Sequence, residues 1–179
     1  MNSRIFCFLA LFVLIVAADS KNALDEKNGF KKYKLGTLVS SYPGFKYADA
    51  KHQSQRTDSC AVVYEKEAEM SDNIGETKVS KIYLTASNDT IVKIEVPLAE
   101  AGIPKIVESF SKEFGKYTKT DNGGNTTYEW EGTNVKMSLV DNSHRRGDKD
   151  YAKSSPDVIT VTSKEMEAVK KRCTQSASH

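Results

Sequence analysis

The sequence predicts an α+β fold: a mainly antiparallel sheet with an amphipathic helix at about 102–114 and a C-terminal helix packed on one face. Two β-rich runs flank a short polar turn at 87–89, which is typical of a hairpin. The apolar spacing then switches to a helical period over 102–114, and three further strand candidates follow. Because strands and helices do not alternate singly, the order indicates α+β and argues against a doubly wound parallel sheet.

The N-terminus predicts a secretory signal peptide over residues 1–18. Arg4 is the only charge before the apolar run 5–16, and Val16, Ala17 and Ala18 supply the small residues of a cleavage site. The run is shorter than the roughly 20 residues of a membrane-spanning helix, so a membrane anchor is the less favoured interpretation. We therefore expect a secreted or periplasmic protein, cleaved near Ala18, that is not an integral membrane protein after cleavage.

The mature chain has the size of one domain. Removing 18 of the 179 residues leaves 161, enough for a real core. The polar residues 19–28 are predicted to be a flexible leader, 29–173 the single domain and 174–179 a disordered tail. Without Arg4, 25 Lys and Arg face 24 Asp and Glu, so the formal charge of about +1 gives no reason to expect nucleic acid as a partner.

The first half of the domain carries weaker signals than the second. An apolar segment covers 30–36, one helical turn is predicted over 37–42, and Pro43 and Gly44 end it. The polar residues 45–58 are interpreted as a loop. Alternation predicts a strand over 59–68.

Clearer patterns begin at Val79. The runs 79–86 and 91–96 form the two arms of the hairpin around Ser87, Asn88 and Asp89. In the helix, one face is apolar, Pro104 lies in the first turn and Gly115 provides the stop. The apolar face consists of Ile103, Ile106, Val107, Phe110 and Phe114.

The remaining elements complete the sheet. Strands are predicted at 116–120, 125–131, 134–141 and 158–162, with a charged loop over 142–155. Thr162 and Glu165 have the spacing of a capping box, which predicts a last helix to about Arg172.

The cysteines favour an oxidising compartment. Cys7 leaves with the signal peptide, and Cys60 and Cys173 form an even pair that predicts one disulfide in an exported protein. The closure would contribute roughly 4–5 kcal/mol. Two separate thiols are the alternative. The glycosylation sequons at Asn88 and Asn125 matter only in a host that glycosylates exported chains.

The sequence contains no recognisable catalytic constellation. Ser109 and Lys112 match the serine–lysine motif of penicillin-interacting enzymes, and Ser71-Asp72-Asn73 matches their second motif. The two motifs occur in reversed order, the chain is too short for that fold and the third motif is missing, so the match is rejected. Glu129 and Glu131 point the same way on one strand, as the paired carboxylates of a glycosidase do. The aromatic residues that alternate with them are predicted to occupy the core face, so the glutamates are predicted to face solvent. We expect solvated glutamates, no catalytic residue and no cofactor.

Metal binding has little support. The histidines lack a metal-ligand spacing, and the acidic residues around the 142–155 loop do not have the spacing of an EF-hand, so a charged loop is preferred to a calcium site. The candidate oxygen ligands around this loop are Asp141, Asn142, Asp148 and Asp150. The same loop contains an adhesion-like tripeptide, Arg146-Gly147-Asp148, and a short basic patch. The candidate interaction residues are His144, Arg145, Arg146 and Asp148.

A resemblance follows from residues 114–117, Phe-Gly-Lys-Tyr, and 128–132, Tyr-Glu-Trp-Glu-Gly, together with Gly29-Phe30 and 35–37, Leu-Gly-Thr. These resemble small exported bacterial proteins with a helix ending in Gly-Lys and a later Tyr-x-Trp-x-Gly strand. The resemblance covers about 28–163 and implies a periplasmic or envelope protein. It implies no catalytic residues.

Three functions remain open at this point. The first is a non-enzymatic binding or envelope-interaction module, with a protein or envelope component as its partner, that uses the exposed sheet face or the loops 45–58 and 142–155. The second is an exported inhibitor of a hydrolase, resembling lysozyme inhibitors. The third is a small hydrolase whose site is assembled from loops.

Overall fold

The computed structural model describes residues 23–49, 61–99, 102–142 and 156–165. Its main feature is an eight-stranded antiparallel sheet, accompanied by a separate two-stranded one, which confirms the predicted mainly antiparallel architecture. The strands are β1 (Gly29–Phe30), β2 (Tyr33–Lys34), β3 (Lys46–Tyr47), β4 (Ala61–Glu67), β5 (Lys81–Ser87), β6 (Thr90–Leu98), β7 (Thr118–Asp121), β8 (Thr126–Glu131), β9 (Val135–Asp141) and β10 (Asp157–Ser163).

The large sheet is built from two four-stranded meanders. Its spatial order is β3-β4-β5-β6-β10-β9-β8-β7, so β6 and β10 are the antiparallel pair at the junction. The connection from β6 to β7 contains α1 (Ile103–Phe114). Among the described strands, β3 and β7 are therefore the two outermost of the sheet.

The turn between β5 and β6 explains why this hairpin forms. Asn88 and Asp89 both have left-handed backbone, with φ of 48° and 61°. Positive φ at both central residues is the requirement of a type I′ turn, whose twist matches the flanking strands. Asn and Asp tolerate this conformation better than most residues other than glycine.

The helix covers one face of the sheet. Pro104 lies in the first turn, where its missing N–H leaves no hydrogen bond unmade, and Gly115 N donates to Ser111 O at 3.0 Å to close the last turn. The buried face of α1 consists of Ile103, Ile106, Phe110 and Phe114. These residues share one core with the inward side chains of β5, β6, β8, β9 and β10.

Residues 23–28, which directly precede β1, are tied to the domain. Residues 23–27 are helical, Leu24 is only 1% exposed, and the Asp25 carboxylate accepts hydrogen bonds from the turn between β8 and β9. Residues 23–28 differ in this from the flexible leader expected over 19–28, of which 19–22 lie outside the described residues. Burial of one leucine and satisfaction of one carboxylate outweigh the polar composition of that stretch.

Two short 3₁₀ helices are present, and the first lies within the helical turn predicted over 37–42. They are Val39–Ser41 and Met70–Asp72. At the other end, Glu165 N donates to Ser163 Oγ at 3.2 Å. The predicted signal peptide 1–18, the continuation of the C-terminal helix and the tail 174–179 lie outside the described residues. Within the described ranges, no helix is long and apolar enough to cross a membrane.

Candidate functional site

The predicted interaction residues His144, Arg145, Arg146 and Asp148 lie outside the described residues, as do Cys60 and Cys173. The residues at the base of that loop are described. Asn142 N donates to Asp157 Oδ1 at 2.7 Å, and Asn142 Nδ2 donates to Pro156 O at 2.9 Å. Asn142 and Asp157 are both buried. Asn142 therefore ties the two ends of the 143–155 segment together.

No group of three or more metal-ligating side chains is present in the part of the chain that the structure describes. Glu129 and Glu131 are each paired with a lysine. Lys136 Nζ lies 2.7 Å from Glu129 Oε1, and Lys164 Nζ lies 2.8 Å from Glu131 Oε1. Glu131 is largely exposed. Both glutamates alternate along β8 with Trp130, whose ring contacts Phe110 of α1, so they lie on the opposite face of the sheet. This arrangement supports solvated ion pairs.

The most distinctive surface is at the β3 edge of the sheet. Tyr47 is 70% exposed although it belongs to a strand. Its ring stacks on Tyr64 of β4, with centroids 5.1 Å apart and planes at 26°. Because the β3–β4 pairing places Tyr47 directly opposite Tyr64, the backbone register itself holds the two rings together.

A carboxylate anchors the inner ring. Tyr64 OH donates to Asp89 Oδ1 at 3.2 Å, and Val39 N donates to Asp89 O at 3.0 Å. Burial, followed by the hydrogen bond to Asp89, raises the pKa of Tyr64 to about 12. We call Tyr47, Tyr64 and Asp89 the aromatic edge. It presents a fixed ring beside two polar groups that can donate or accept hydrogen bonds.

The sequence pattern does not predict this surface, because Tyr47 lies in the polar stretch 45–58, whose composition indicates a loop. The alternation over 59–68 contains Tyr64, and the hairpin turn contains Asp89. Nothing in the local pattern brings those positions together with Tyr47. The two-residue strand β3 does so, and such a strand is too short to leave a period-2 signal.

A second polar cluster centres on the buried residues Tyr33 and Asp72 and includes the more exposed Glu69. Tyr33 is fully buried, and its OH donates to Asp72 Oδ2 at 3.3 Å. The same oxygen accepts Glu69 N at 2.9 Å, which caps the short helix Met70–Asp72. Hydrogen bonds from Lys32 at 2.8 Å and Lys66 at 2.5 Å lower the pKa of Glu69 to about 2. Since its contacts secure a loop, we assign this cluster a structural role.

The cluster has a measurable pH signature. Burial, then the negative charge of Asp72, raises the pKa of Tyr33 to about 12 from an ordinary value of 10.0. The folded state keeps a proton that the unfolded state gives up above pH 10, so the stability that Tyr33 contributes is lost as the pH rises from 10 towards 12. We expect urea unfolding to show a loss of about 1 kcal/mol from this group between pH 9 and 11.

The variant Tyr33→Phe separates this effect from general alkaline unfolding. At pH 7 it should cost about 1 kcal/mol through the lost hydrogen bond to Asp72. Between pH 9 and 11 it should lose less stability than the wild type. Tyr117→Phe, at an exposed position, is the matched control. Parallel pH profiles for wild type and Tyr33→Phe would contradict the prediction.

The chain matches no protein-family model, no curated protein and no solved structure. The assignment of the site residues therefore depends on the geometry described above.

Proposed function

We propose that this chain is an exported, non-enzymatic binding module that contacts a protein or envelope component through the aromatic edge. The observation that supports this proposal is Tyr47, an aromatic side chain 70% exposed on an edge strand and stacked on Tyr64. The predicted signal peptide supports secretion or a periplasmic location.

The stack suits binding for a physical reason. Ordering a side chain at an interface costs free energy, and that cost is smaller when the ring is already held in place. Tyrosine offers a large contact area with a polar tip and only two rotatable angles. The Tyr64 hydroxyl and the Asp89 carboxylate add directional contacts beside it.

Exposure alone does not distinguish Tyr47. Met70 is 91% exposed and Leu38 about half exposed, and single exposed apolar residues are normal on protein surfaces. Met70 lies at the start of a short 3₁₀ helix and has a flexible side chain. Tyr47 differs because another ring supports it, so Met70 serves as the matched control position.

Site-specific photocrosslinking in the native host tests the surface. A p-benzoylphenylalanine placed at Tyr47 should give a discrete crosslinked product, while the same group at Met70 should not. An envelope component in the product supports the leading function. A hydrolase in the product would favour the inhibitor function instead. Equal crosslinking at both positions would exclude the aromatic edge as the contact surface.

Affinity for the crosslinked partner then measures the contribution of the ring. Tyr47→Ala should weaken binding about 10- to 30-fold, the range of an interface hot spot. Tyr47→Phe keeps the stack and should stay within about 3-fold of wild type. Because Tyr47 is exposed, neither variant should change the melting temperature appreciably. An unchanged affinity in Tyr47→Ala would overturn the proposal.

We propose that the C-terminal helix continues to about Arg172 and packs on the same sheet face as α1. The hydrogen bond from Glu165 N to Ser163 Oγ supports a helix start immediately after β10.

A further inference from the structure

The turn between β8 and β9 directs three consecutive backbone N–H groups at one carboxylate. Thr133 N donates to Asp25 Oδ2 at 2.7 Å, while Asn134 N and Val135 N donate to Asp25 Oδ1 at 2.8 and 3.0 Å. Successive backbone N–H groups that converge in this way form an anion-binding concavity. The donors and the acceptor are 108 to 110 residues apart, so no local chain requirement brings them together.

The turn is shaped for this group. At Gly132 an added Cβ would lie 2.5 Å from Asp25 Oδ1 and 2.9 Å from its Cγ, so a side chain there would occupy the place of the carboxylate. The carbonyls of the turn are engaged elsewhere. Lys164 Nζ donates to Gly132 O at 2.8 Å, and Lys164 N donates to Asn134 O at 2.8 Å. The N–H groups of 133–135 therefore bind Asp25, while the carbonyls of Gly132 and Asn134 bind Lys164.

The ionisation of Asp25 agrees with this geometry. Burial opposes the charged form, but the hydrogen bonds from Asn134, Thr133 and Val135 outweigh it and hold the pKa below its ordinary value of 3.8. The occupant is thus a carboxylate at neutral pH. The other side-chain contacts of this segment involve residues outside the turn: Leu24 is buried in the core, and Lys27 pairs with Glu113 and lies 5.3 Å from the ring centre of Phe114.

We propose that the turn 132–135 is a carboxylate-binding site in its own right, occupied in cis by Asp25. Residues 23–27 then act as a strap that this site holds against the domain. When the Asp25 carboxylate is withdrawn, the same N–H groups bind a carboxylate from another molecule. The ligand class is a small or side-chain carboxylate, because the site offers three donors within reach of a single group.

Chemical rescue in the full-length chain tests the site. In Asp25→Ala, thermal unfolding at pH 7 should shift upward with sodium acetate, saturating at a rise of about 3 °C over sodium chloride of equal ionic strength. The wild type should show no difference between the two salts, since Asp25 already fills the site. The double variant Asp25→Ala with Gly132→Ala should lose the rescue, because the added methyl group takes the place of the acetate.

Each result decides the proposal. Equal melting temperatures of Asp25→Ala in acetate and chloride would overturn it, as would an equal acetate effect in the wild type. If Asp25→Ala is unfolded at 25 °C, the regain of secondary structure on adding acetate becomes the readout. Acetate must then restore the fold where chloride does not. None of these outcomes depends on whether the aromatic edge binds a partner.

Discussion

Replacing Trp130 with alanine is expected to destabilise the domain by about 3–5 kcal/mol. Trp130 lies on β8 and is only 1% exposed. Its ring meets Phe110 of α1 edge-to-face at 5.6 Å and Tyr117 at 5.5 Å. The side chain thus joins the helix to the second meander, and its removal leaves a cavity that those rings cannot close without moving. For a domain of this size the melting temperature should fall by about 10 °C.

A matched variant isolates the cavity from the chemistry of the indole. In the described residues, Trp130 Nε1 is buried without a hydrogen-bond partner. Trp130→Phe keeps an aromatic ring and removes this unsatisfied N–H, which offsets part of the lost packing. Guanidinium unfolding followed by circular dichroism should therefore give a cost below about 2 kcal/mol for Trp130→Phe. A cost below about 1 kcal/mol for Trp130→Ala would show that the ring does not hold helix and sheet together.

The position of Trp130 was largely predictable from the sequence. Tyr128 and Trp130 stand two residues apart in a run bounded by glycine-containing turns, and two-residue spacing places side chains on one strand face. The strand predicted at 125–131 spans Thr126–Glu131 in the structure. Strand bounds and the face on which a side chain lies can be predicted from local periodicity and turn residues, because residues close in sequence determine them.

The features that arise from long-range contacts were not predictable. The polar composition of residues 19–28 gives no sign that Asp25 makes tertiary contacts, because its partners lie on a turn more than 100 residues later. Tyr47 stacks on Tyr64 only because a two-residue strand pairs with β4. Buried polar contacts such as the one between Tyr33 and Asp72 depend on which loops lie next to each other in the fold. The spacing of apolar residues along the chain contains no information about that. The aromatic edge and the carboxylate-binding turn 132–135 both depend on such long-range contacts.

Introducing a side chain at Gly29 is expected to be the most disruptive backbone change in the β1–β2 pair, which we call the N-terminal hairpin. An added Cβ there would overlap the carbonyl oxygen of Tyr33 and lie 3.0 Å from the Cα of Lys34. Both are backbone atoms of β2, which pairs with β1, so no side-chain rotation relieves the clash. Relief requires separating the two strands, and that movement displaces the buried rings of Phe30 and Tyr33.

Gly29→Ala should therefore cost about 3–5 kcal/mol in the free energy of unfolding, the sum of strain and lost core packing. Gly123→Ala is the control. Gly123 has φ of 65° but nothing within 4 Å of an added Cβ, so its alanine variant bears only the backbone strain of about 1–2 kcal/mol. Urea unfolding of both variants separates a backbone collision from a conformational preference. Equal costs would mean that β1 and β2 can part without disturbing the core, and that the N-terminal hairpin is an attachment to the domain instead of a part of it.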